Sequence, residues 1–215
     1  MEIESNTFKE CFDTILRGNE GDSRLAARKV RKLLYSSTGT YNREKFIDIA
    51  NLIKTAPREY ENISEEWRQE NFVLAVSVIY YMHDKEEQPD FLFPWLFELL
   101  RHSNGVIRYA SVRMLSNEIG PLTVHIRIPG HKPGYFGKLT PEQANTILRS
   151  LFVNLNELSG TLWQLKYKRY KYIDSLPASP YKSVQMVLSE LEESCGRKYI
   201  DHLVGRFFSN NVGIA

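Results

Sequence analysis

From Trp163 to Tyr172 the chain reads Trp-Gln-Leu-Lys-Tyr-Lys-Arg-Tyr-Lys-Tyr, a run in which rings and cations interleave. Such residues suit nucleic acid. Lys166, Lys168, Arg169 and Lys171 would neutralise phosphates, and Trp163, Tyr167 and Tyr170 would stack on unpaired bases. On a helical wheel the three rings fall within about 60° of arc, with Lys168 and Lys171 on a separate face. The pattern has a second explanation, in which the rings pack on a neighbouring helix and the lysine stems cover apolar surface. Just upstream, residues 119–139 add Arg127, Lys132 and Lys138 and contain no acid.

The whole chain carries a net charge of only +2, but the charge is unevenly placed. Residues 119–173 hold 8 Lys/Arg against Glu142 and Glu157, a net of +6, whereas residues 1–118 sum to −3. Segregation on that scale creates a local positive field and points to an anionic partner, either nucleic acid or an acidic protein segment. A second cationic group, Arg24, Arg28 and Arg31 with Lys29 and Lys32 beside them, forms a ridge opposite Ala26, Ala27, Val30, Leu33 and Leu34. A ridge of this kind could bind an anion. More often it is a solvated face, partly neutralised by acids elsewhere.

Catalytic signatures are lacking. The five histidines are scattered, with His125 and His131 the only close pair, and no metal site is expected from them. The sequence has no phosphate loop, no dinucleotide fingerprint and no nucleophile elbow, so neither catalytic residues nor a cofactor are expected. Cys11 and Cys195 make neither a disulfide framework nor a zinc site, and ordinary reduced thiols are expected. No run of 18 apolar residues suggests a membrane span, and the acidic Met1-Glu2-Ile3-Glu4 start is unlike a signal peptide. A cytoplasmic location is expected.

The elements that must position these residues read as helices throughout. Helices are expected over 6–17, from Asp22 or Ser23 to about Tyr35, over 42–55 with Pro57 as terminator, and from a Ser64 cap to about His83. The pair from Pro89 to Gly120 follows, with Pro94 in a first turn, Asn104 capping the second helix, and Arg108 and Arg113 on that helix's outer side. Regular spacing then fails after Ile119. Val124, Ile126 and Ile128 alternate with His125 and Arg127 at a period of two, which fits a short hairpin as well as an ordered loop. Thr140-Pro141-Glu142-Gln143 opens another helix, ending at Gly160, and further helices are expected over 161–175, from Ser179 and over 197–208.

The second helix of the Pro89–Gly120 pair begins Val106-Ile107-Arg108-Tyr109-Ala110, and this Val-x-Arg-x-Ala pattern resembles that of HEAT-type or armadillo-type helical repeats. Residues 6–35 form a similar pair, with Val30-Arg31-Lys32-Leu33 echoing Val112-Arg113-Met114-Leu115. The resemblance implies an all-α superhelix of stacked hairpins, a single domain over residues 1–215 with an insertion at 119–139. Stacked hairpins present an extended surface, and binding a protein partner as a non-catalytic module or scaffold is the function this implies. Nucleic-acid binding through residues 119–173 is the alternative. The chain is also similar in size and helicity to the DNA glycosylases built from HEAT-like repeats. None of Trp67, Trp95 and Trp163 stands in that family's motif context, so no residue is carried over from it.

Overall fold

Thr7 and Glu10 start the first helix by a reciprocal cap, in which each side chain accepts the other's backbone N–H, at 3.1 and 2.8 Å. The computed structural model describes residues 7–36, 43–82, 92–133, 139–163 and 176–202, and among these every regular element is helical. They fall in two units, 1–114 and 115–215.

The first unit holds α1 (Phe8–Arg17), α2 (Glu20–Ser36), α3 (Arg43–Glu61), α4 (Glu66–Ile79) with a 3-10 turn to Met82, and α5 (Phe93–Arg101). It also takes the start of α6 (Gly105–Leu122), within which the boundary falls. Helix α4 packs against α1, α2 and α3, and Phe72, Val73, Ala75, Val76 and Ile79 are all buried on it. The C-terminal half of α4 is apolar nearly all round, the pattern of a helix enclosed by neighbours. Phe12 of α1 meets Phe72 edge-on at 5.7 Å. A buried polar thread crosses the same place: Asn71 Nδ2 donates to Ser23 Oγ (3.1 Å), which donates to the Ile15 carbonyl (3.1 Å). Ser23 is therefore a core residue and not a helix cap. The cap of α2 is Asn19, whose Oδ1 accepts from the Asp22 N–H at 3.0 Å.

Proline does not end α3. Pro57 lies inside it, and the helix runs on to Glu61. An interior proline costs about 3 kcal/mol. Burial of Ile53 and Ala56 beside it offsets that cost, since a fully buried isoleucine alone is worth ~1.5–3 kcal/mol. The extension carries Tyr60 to Trp95 of α5, ring to ring at 5.9 Å. Asn104 caps α6 as expected, its Oδ1 accepting from the Val106 N–H at 2.8 Å, and Ser111 Oγ of α6 donates to the Leu96 carbonyl of α5 at 2.7 Å. Ser64 is not the cap of α4; Glu65 holds that position with no side-chain bond to the helix.

In the second unit α6 continues through Gly120-Pro121 to Leu122, where sequence spacing placed the start of an insertion. The freed carbonyls are met locally. Thr123 Oγ1 donates to Ile119 and Gly120, at 2.7 and 3.1 Å. The alternating stretch is a single turn, α7 (Val124–Arg127), packed on α9, so the hairpin reading of it is overturned. Too short for a strand with no partner strand beside it, it satisfies its backbone within its own turn. α8 (Pro141–Leu162) has the Thr140–Gln143 capping box and passes through Gly160. α9 (Pro180–Cys195) is capped by Ser179 Oγ, and residues 197–202 are again helical. The cores of α8 and α9 meet through Leu148, Leu151, Leu155, Val184, Val187 and Leu191, all at 0% exposure.

Candidate functional site

The described members of the basic segment stand apart. Arg127 is exposed at the end of α7, and its Nη2 donates to the Gly120 carbonyl at 2.8 Å. That bond makes it a cap for the C-terminal end of α6, where partial negative charge collects. Lys132 is exposed shortly after it. Trp163 is 51% exposed beyond the last residue of α8. α7 sits beside the start of α8, since His125 Nε2 lies 2.8 Å from Asn145 Oδ1. Trp163 is thus about 27 Å further along that axis, at 1.5 Å per residue. Lys138, Lys166, Tyr167, Lys168, Arg169, Tyr170 and Lys171 lie outside the described residues.

Two further arginines have structural duties. Arg108, which the helical pattern placed outside, is only 5% exposed. Its Nη1 reaches the His102 and Ser103 carbonyls, at 2.7 and 2.6 Å, and closes the end of α5. Arg68 of α4 places its Nη1 at 3.2, 2.6 and 3.0 Å from the carbonyls of Ile15, Leu16 and Gly18, the end of α1. Its Nη2 also pairs with Glu65 at 3.3 Å. Arg113, by contrast, is exposed as expected.

Groups that could do covalent chemistry are muted. Burial pushes the Cys195 thiol up to about 12 and raises that of Cys11, and Lys29 beside Cys11 only partly opposes this. A thiol that stays protonated is neither nucleophile nor metal ligand. Tyr60 is likewise raised to about 12, by burial first and then by Glu98 and Glu66. Asn145 Oδ1 accepts from Tyr199 Oη and lies 2.8 Å from His125 Nε2. His131 is exposed and does not join His125. Among the described residues no group of His, Cys, Asp and Glu could hold a metal ion.

The cationic ridge of α2 survives in three dimensions. Arg24, Arg28, Lys29, Arg31 and Lys32 are all exposed, and no acid occurs between Ser23 and Ser36. A groove of about 390 Å³ runs beside it between α1 and α2, lined by Cys11, Thr14, Leu25, Ala26, Arg28, Lys29 and Lys32 together with Glu10 and Asp22. Both carboxylates are already occupied. Glu10 accepts the Thr7 N–H in the α1 cap, and Asp22 Oδ2 accepts from Asn19 Nδ2 at 2.7 Å. Those bonds come from neutral donors and leave both charges in place, so the groove wall carries three cations and two carboxylates. The sign legible in sequence was the acid-free run of α2, and what sequence could not reveal was the local engagement of Glu10 and Asp22.

Comparison of the chain with protein-family models, with curated proteins and with solved structures returned no match.

Proposed function

We propose that the protein is a non-catalytic interaction module, built on HEAT-like helical hairpins, that binds an anionic macromolecular partner through the outer face of α2. The observation that carries this reading is the run of five exposed cations from Arg24 to Lys32, on a stretch of α2 that holds no acid. Two hairpins, α1–α2 and α5–α6, support the repeat-like arrangement, and in the second the arginine of the Val-x-Arg-x-Ala pattern closes the preceding helix. Among the described residues no helix is long and apolar enough to cross a membrane. A partner protein is the occupant this surface suits.

Binding of nucleic acid by residues 119–173 is the second reading, and the exposed Trp163 at the entry to the Lys166–Lys171 run favours it. Retention on immobilised heparin across a salt gradient separates the two. An Arg24/Arg28/Lys29/Arg31/Lys32→Gln variant is expected to elute well before wild type, and a Lys166/Lys168/Arg169/Lys171→Gln variant close to it. The reverse order would move the site to the second segment.

A further inference from the structure

Leu25 is 57% exposed near the N-terminal end of the cationic face. Leu25, Arg28, Lys29 and Lys32 follow at i, i+3, i+4 and i+7, so they share one side of α2 along about 10 Å, two helical turns. All four line the α1–α2 groove, where three cations outnumber the carboxylates of Glu10 and Asp22, and small Ala26 and Thr14 leave space for an incoming side chain. Phosphates would use the cations and leave Leu25 in water. Bases would need rings to stack on, and Phe8 and Phe12 of α1 are buried. An apolar anchor flanked on one side by three cations is the complement of an amphipathic helix that carries leucine-like and acidic side chains one turn apart.

Resting on the reading above, we propose that the occupant of the α1–α2 groove is an acidic amphipathic helix of a partner protein. An apolar side chain of that helix seats against Leu25 and Ala26, and its carboxylates face Arg28, Lys29 and Lys32. The anchor supplies affinity by burial, and the charges set orientation and encounter rate.

Fluorescence anisotropy on the full chain tests this, with four labelled probes: an acidic helical peptide bearing two leucines one turn apart, its leucine-to-alanine counterpart, a single-stranded RNA and a duplex DNA. The protein variants are Leu25→Asn, Arg28/Lys29/Lys32→Gln and, as control, Arg113→Gln, each checked for helicity by circular dichroism. Wild type is expected to bind the leucine peptide best. Leu25→Asn, or loss of the peptide leucines, should weaken binding about tenfold, with a larger loss in the triple variant and none in Arg113→Gln. RNA or DNA binding more tightly than the peptide, with Leu25→Asn silent, would overturn the acidic-helix occupant and leave the anion-binding reading standing. Self-association of the chain abolished by Leu25→Asn would also overturn it, by making a second copy the occupant. Absence of binding by every probe at low salt would overturn both.

Discussion

At the scale of single residues, the arginines show how a cation's task depends on what lies beneath it. Arg68, Arg108 and Arg127 each turn back onto the carbonyls that end a helix, where four acceptors lack intrahelical donors. Such bonds to charged groups are worth ~1.5–3 kcal/mol each, enough to hold a side chain against the surface. The α2 cations, by contrast, are exposed along the helix. His102, next to Arg108, adds a pH signature. Its Nδ1 accepts the Asn104 N–H at 2.9 Å, and burial lowers its pKa from 6.5, with Glu66 opposing and Arg108 adding to the effect. The folded chain therefore takes up this proton less readily than the unfolded one. The stability concerned is complete above pH 6.5 and is lost as pH falls toward the folded value. Urea midpoints measured from pH 8 to pH 5 should fall across that window in wild type, and fall less in His102→Asn, which keeps an acceptor for Asn104 without the titration. The sequence pattern located Asn104 but misplaced Arg108, because helical periodicity reports which face a residue is on and not whether a loop folds over it.

At the scale of elements, the caps of α6, α8 and α9 were readable, while those of α2 and α4 and the breakers were not. Thr140, Gln143, Asn104 and Ser179 act where their types and spacing put them. A cap is a contact between near neighbours in sequence, so local rules suffice. Pro57, Gly120 and Pro121 lie inside helices because burial of Ile53, Ala56, Ile119 and Leu122 beside them outweighs their local cost, and Gly160 lies in the exposed last turns of α8. The glycines give a direct check. A Cβ at Gly120 or Gly160 would meet nothing within 4 Å, whereas at Gly18 it would stand 2.7 Å from the Thr14 carbonyl oxygen. Gly18 itself is extended (φ −73°, ψ 171°), so close approach and not left-handed geometry demands glycine there. Gly120→Ala and Gly160→Ala should each stabilise the chain by about 0.5–1 kcal/mol, and Gly18→Ala should destabilise it, all read as shifts in denaturation midpoint at unchanged m-value.

At the scale of the whole molecule, helicity and charge segregation were both plain in the sequence, yet the best-supported surface is not in the most basic segment. Net charge over a window counts residues without regard to what holds them. Arg127 counts toward +6 for residues 119–173 while it is bonded to Gly120. The α2 ridge lies in a part of the chain that sums to −3, yet it gathers five exposed cations on one acid-free run of helix. Amide chemical-shift mapping of the full chain on adding a short heparin oligosaccharide would show whether α2 is the face that meets the partner. Shifts concentrated at residues 24–32 of α2 and on the facing side of α1 are the predicted result. Shifts confined to residues 163–172, or none at low salt, would contradict it.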